Sequence, residues 1–205
     1  RKQGIFPEIR KAEAKYMPVI LRQVLIDSGD WGVVRVLPEA LDSAELLVTG
    51  TILRSDGLRL ELRINARDAS GFEWLNQVYW GSTVSADYPV AVPGDPYLDV
   101  YQQIASDLLA VRQQMSAKQL ATIREIALMR YAIQLAPTVF TSYVTQTPQG
   151  RYVLVRFPAE GDPMLARVIR IRNQEYLFID TVDEQYARLS DEMAPTYNLW
   201  RQYGA

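Results

Sequence analysis

The chain of 205 residues contains no cysteine and no histidine. The first absence removes disulfides, thiolate nucleophiles and thiolate metal ligands. The second removes the side chain that most often moves protons near neutral pH and most often ligates zinc, copper or haem. Serine catalysis with a histidine base is excluded with it. A cysteine-free chain suits an oxidising or a reducing compartment equally. Charge of one sign is lacking too: 22 Lys and Arg stand against 24 Asp and Glu, and a division after Gly94 leaves 11 basic and 12 acidic residues on each side. Holding a polyanion takes a surplus of cations, so no nucleic-acid partner is expected. No apolar run approaches the roughly 20 residues that cross a bilayer. The phosphate-loop patterns GxxxxGK[ST] and GxGxxG are also missing.

What is present is an ordinary globular balance, 48% hydrophobic and 22% charged, enough for one large domain or two small ones. The stretch Leu58 to Gly71, "LRLELRINARDASG", alternates with a period of two. Leu58, Leu60, Leu62, Ile64 and Ala66 face one side, which asks for a core, and Arg59, Glu61, Arg63, Asn65 and Arg67 face the other. "AELLVTGTILR" (Ala44–Arg54) precedes it across the turn "SDG", and "FEWLNQVYWGSTV" follows it across "DASG". Gly after Asp or Ser suits tight turns, so these segments predict an antiparallel meander. Phe72, Trp74, Val78 and Trp80 are expected on one buried face.

A helix is predicted over residues 12–28, its stable part beginning at Pro18. A short strand is predicted from Gly32 to Leu37. Ala86 to Tyr97 reads as a long loop. Asp95 is expected to cap a helix with Pro96 at its first position and an apolar face of Leu98, Tyr101, Ile104, Leu108 and Val111. Ser116 and Gln119 form a capping box for the next helix, ending before Pro137. A second hairpin is expected at about 138–157. Helix resumes at Asp162-Pro163 and is expected to break at Pro195. The fold class is therefore α+β: an antiparallel or mixed sheet packed by helices, then a mainly helical region with one hairpin. The division proposed is residues 1–94 and 95–205.

Two motifs carry a resemblance. Ala44-Glu45-Leu46-Leu47-Val48-Thr49-Gly50-Thr51-Ile52 and Asp68-Ala69-Ser70-Gly71-Phe72-Glu73-Trp74 resemble segments of an α/β domain of bacterial envelope proteins. That domain is shared by the TolB amino-terminal domain, the curli-secretion lipoprotein and the lipoprotein activators of penicillin-binding proteins. The departures are Glu45 for Asp, Ser70 for Thr and an inserted Phe72. The resemblance spans residues 12–82. It implies a periplasmic protein, tethered to the outer membrane through a lipid anchor absent from this chain, that acts by contact with an envelope protein or peptidoglycan. Residues 95–205 are read as an additional region.

Candidate contact residues are the row Arg59, Arg63, Arg67 and the terminal aromatics Trp200 and Tyr203. The row is either a platform for an anionic partner or a solvated strand face neutralised by Glu61 and Glu73. Trp200 and Tyr203 either dock on their own domain or form an exposed surface. Asp180, Asp183 and Glu184 lie at helical spacing and are the residues a glycan hydrolase would use, though the stretch reads as the wet side of a helix. Ser116 and Lys118 are poorly placed as a catalytic pair. No catalytic residue, metal ligand or cofactor is therefore assigned. The alternatives to a non-enzymatic interaction protein are that hydrolase and an oligomeric structural or secretion component pairing through Gly32–Leu37.

Overall fold

The computed structural model describes residues 7–84 and 95–204. Helix α1 (Pro7–Asp27) leads through an irregular segment into strands β1 (Leu46–Ser55), β2 (Arg59–Asp68) and β3 (Glu73–Ser82). Helices α2 (Leu98–Gln113) and α3 (Ala117–Leu135) follow, then a single turn α4 (Pro137–Phe140) and a 3-10 turn. The short hairpin β4 (Val144–Gln146) and β5 (Tyr152–Leu154) precedes α5 (Pro163–Gly204). The protein is α+β, its main sheet antiparallel in the order β1-β2-β3.

The alternation in β2 sets the core. Leu60, Leu62, Ile64 and Ala66 are buried against Tyr16 and Met17 of α1, Ile104 and Leu108 of α2, Ile126 of α3 and Tyr197 of α5. These residues come from both sides of Gly94 and form one cluster. A smaller cluster joins Met129 and Ala132 of α3, Phe140, and Leu165 and Val168 at the start of α5. Among the described residues the helices cover one face of the meander only, and the second face is open.

Local chemistry explains several elements. Ser116 accepts from the Gln119 amide while Gln119 reaches back to the Ser116 amide, so the capping box forms as read. Asp162 Oδ1 accepts from the amides of Met164 and Leu165 and starts α5. Gly57 in the β1–β2 turn has φ +87°, and a Cβ there would collide with the carbonyl oxygen of Arg201.

Four expectations are corrected. Helix α1 starts at Pro7 and runs through Pro18; the proline is exposed, while Glu13, Tyr16, Met17 and Val19 bury a stripe on both sides of it. Likewise α5 does not break at Pro195, an exposed position that lies between buried Ser190 and buried Tyr197 of one packed stripe. A proline without its amide is tolerated where water can serve the freed carbonyl. Gly32–Leu37 forms no strand: the Val36 amide donates to Asp183 Oδ1 at 2.8 Å and the Val34 carbonyl accepts from Arg22 Nε at 3.3 Å. Side chains there replace a ladder, and the edge-pairing route to an oligomer loses its strand. Finally α2 begins at Leu98 rather than Pro96, with Asp95 Oδ1 taking the Tyr97 amide. The second hairpin exists but is short, because Pro137–Tyr143 is helical. Most of the expected loop Ala86–Tyr97 lies outside the described residues.

Candidate functional site

The open face of the sheet is built by β2 and its neighbours. Arg59, Arg63 and Arg67 are all exposed on it, as the alternation requires. Register places Arg63 between Thr51 of β1 and Val78 of β3, and Glu61 beside Trp80. Val78 is 44% exposed and Trp80 73%, which overturns their expected burial with Trp74. The cause is a bulge where the β2–β3 register shifts between Ala66 and Arg67. One extra residue in β3 inverts which side chains point inward. Trp74 stays buried, and beyond the bulge Tyr79 rather than Val78 or Trp80 faces the core. Phe72 is half-exposed, with the guanidinium of Arg151 4.8 Å from its ring centre.

The charges on this face are unevenly satisfied. Glu73 Oε2 lies 3.6 Å from Arg67 and accepts from Asn65 and Asn76. The guanidinium groups of Arg59 and Arg63 have no ion-pair or hydrogen-bond partner among the described residues, and Glu61 sits between them unbonded to either. Arg54 turns away to Asp56, at 2.7 Å. Arg59, Glu61, Val78, Trp80, Gly81 and Ser82 line an open depression. Two free guanidinium groups beside an accessible indole suit recognition of a carboxylate or phosphate group on a partner. They provide no nucleophile with a base beside it.

The other candidates separate. Trp200 is half-buried, stacked on Tyr197 with ring centres 5.9 Å apart, and packs against the main core. Tyr203 is 89% exposed. The last turn of α5 meets Gly57, so both lie toward the Arg59 end of the sheet. Asp183 is not on a wet helix face: it is buried, with Oδ2 2.7 Å from Arg22 and Oδ1 taken by the Val36 amide. Asp180 pairs with Arg35, whose guanidinium holds its carboxyl below the usual carboxylate range. Glu184 points to solvent. The three are thus not brought together as an acid–base pair.

Spacing gave no sign of a second polar cluster, sealed within the core. Arg201 and Asp95 are fully buried and meet at 2.8 Å. The guanidinium lies 4.0 Å from the ring centre of Tyr197 and 5.2 Å from that of Tyr97. Glu13, also fully buried, accepts from Ser55 Oγ at 2.6 Å, Tyr197 OH at 2.7 Å and Arg10 Nη1 at 2.8 Å. Burial holds the phenols of Tyr16, Tyr101 and Tyr197 protonated well above the ordinary tyrosine range. The charges of Asp95, for the first two, and Glu13, for the third, push the same way. The folded phenols therefore bind protons more tightly than unfolded ones. Their contribution to stability is complete below about pH 10, the ordinary tyrosine value, and declines as the pH rises above it. Alkaline titration should show phenolate absorbance rising together with loss of helical signal. Ionisation of all twelve tyrosines at ordinary pH with the fold intact would contradict this.

Among the described residues no helix is long and apolar enough to cross a membrane. Comparison with protein-family models, with curated proteins and with solved structures finds no match to this chain.

Proposed function

We propose that this chain acts by contact rather than by catalysis, as an envelope-associated interaction protein of the bacterial periplasm tethered to the outer membrane. The open sheet face meets an acidic partner in this reading, either an envelope protein or the carboxylates of peptidoglycan. The observation that carries it is the pairing of two unneutralised guanidinium groups, Arg59 and Arg63, with a Trp80 that is 73% exposed. Water alone gives no reason to keep a tryptophan on a strand face, whereas Trp and Arg are the residues that dominate contact surfaces. The periplasmic setting rests on the resemblance of residues 44–52 and 68–74 to the envelope domain. Adaptor, activator and assembly factor are the roles such a surface serves.

Replacing Arg59, Arg63 and Arg67 together by alanine should leave the melting temperature nearly unchanged, since surface substitutions cost within about 0.5 kcal/mol. Retention on purified peptidoglycan sacculi, or on an acidic envelope protein recovered with the wild type, should fall by more than about tenfold, with a marked dependence on salt. Unchanged retention by the triple variant contradicts the assignment of this face.

A further inference from the structure

Helix α5 packs one stripe on the core, through Leu165, Val168, Asp183, Ser190, Tyr197 and Arg201. Its opposite stripe is open along 42 residues, about 63 Å at about 1.5 Å per residue. Within the open stripe Leu177 is 70% exposed and Phe178 69%, with Ile171 beside them at 46%. A helix that packs on one side is ordinarily polar on the other. Large apolar side chains grouped on the wet side mark a contact. The charges flanking this patch differ in sign. Arg167 and Arg170 precede it, and Asp191 and Glu192 follow it; all four are exposed, and none forms an ion pair among the described residues. Glu184 and Arg188, one turn apart between patch and acids, offset each other.

We propose that this stripe of α5 is where two copies of the chain pair, antiparallel, about a two-fold axis beside Ile179. Arg167 and Glu192 are nearly equidistant from that residue along the helix. The axis therefore brings the basic end of one copy level with the acidic end of the other, twice, and sets the Leu177 and Phe178 patches together. A parallel pairing would set arginine on arginine. Such self-complementarity is what a two-fold contact requires. An anionic membrane surface is a poorer fit, since it would favour basic residues at both ends. This contact uses no residue of the sheet face and stands apart from the proposed function.

Sedimentation equilibrium tests it on the 205-residue chain. The wild type should reach twice the mass of one chain and dissociate more readily as salt is raised. One variant carries Arg167→Glu and Arg170→Glu, the other Asp191→Arg and Glu192→Arg. Each alone sets like charges together and should pair more than about tenfold more weakly. Mixed in equal amounts they should pair again, because acid then meets base at both ends, and re-pairing also shows that both variants are folded. A single-chain mass for the wild type throughout the concentration series overturns the proposal. So does a dimer that neither variant weakens, a mixture that fails to pair, or a monomer that binds anionic vesicles through α5 instead.

Discussion

Replacing Arg201 by alanine is expected to destabilise the protein by about 3–5 kcal/mol, the scale for stranding one member of a buried ion pair. Asp95 would then be a fully buried carboxylate without its partner. Burial opposes the charge on Arg201, yet Asp95 outweighs it and holds the guanidinium protonated above its ordinary value. Nε and Nη2 have no hydrogen-bond partner among the described residues; the rings of Tyr197, Tyr97 and Tyr16 surround the group instead. One side chain thereby joins the end of α5, the entry to α2 and the middle of α1, and the backbone of the same residue lies close against Gly57 of the β1–β2 turn. Asp95→Ala should cost a similar amount by stranding the cation. The double variant should lose less than the sum of the two, because neither charge is then left alone. Urea midpoints of the three variants measure this. Additive losses would mean that the two groups do not act as a pair.

Asp68→Ala should cost about 3 kcal/mol or more, since each buried donor left unbonded costs about 1–3 kcal/mol. Asp68 Oδ1 accepts from the Ser70 amide at 2.8 Å, Ser70 Oγ at 2.6 Å and the Phe72 amide at 3.2 Å. Its Oδ2 accepts from Trp74 Nε1 at 2.9 Å. These bonds shape the turn in which Gly71 takes φ +82°, and the turn in turn carries the second hairpin. The Ser70 carbonyl accepts from the Tyr152 amide at 2.8 Å and from Arg151 Nε at 3.3 Å, and the Ala69 carbonyl from Arg130 at 3.0 Å. Alongside the loss of stability, Trp74 emission should shift to the red as its indole meets water. Asp68→Asn should fall between, as the amide oxygen can keep the turn bonds while the second position no longer accepts. A variant with wild-type stability and emission would show that this carboxylate does not organise the turn.

Contacts close in the chain were readable from residues alone. The alternation of Leu60, Leu62, Ile64 and Ala66 gave β2 and its buried face, the Asp–Ser–Gly turns gave the meander, and Ser116 with Gln119 gave a helix start. Each rests on neighbours within a few residues. The bulge in β3 was not readable, because its register is decided against β2, and one residue of slip moved Val78 and Trp80 to the outer face. Thus the arginine row was found and its aromatic neighbours were missed. The buried cluster was missed for a related reason: Arg201 and Asp95 are more than a hundred residues apart, and a polar residue on a helix reads as solvent-facing until its partner is known. Asp183 misled in the same way. Pro18 reads as a helix start and Pro195 as a break because local propensity counts the lost amide and not the packed stripe on both sides.

The role assigned to the open sheet face can be tested where it would operate. A photoreactive amino acid in place of Arg63 or Trp80, in full-length protein in the native cell envelope, reports what lies against that face; one at Lys118, on the solvent side of α3, serves as the control. One acidic envelope partner, or peptidoglycan, is expected to crosslink from positions 63 and 80, to be absent from 118, and to be lost when Arg59 is also changed to alanine. Crosslinks from 63 and 80 that fall only within the chain, or that match those from 118, would show a strand face turned to water and contradict it.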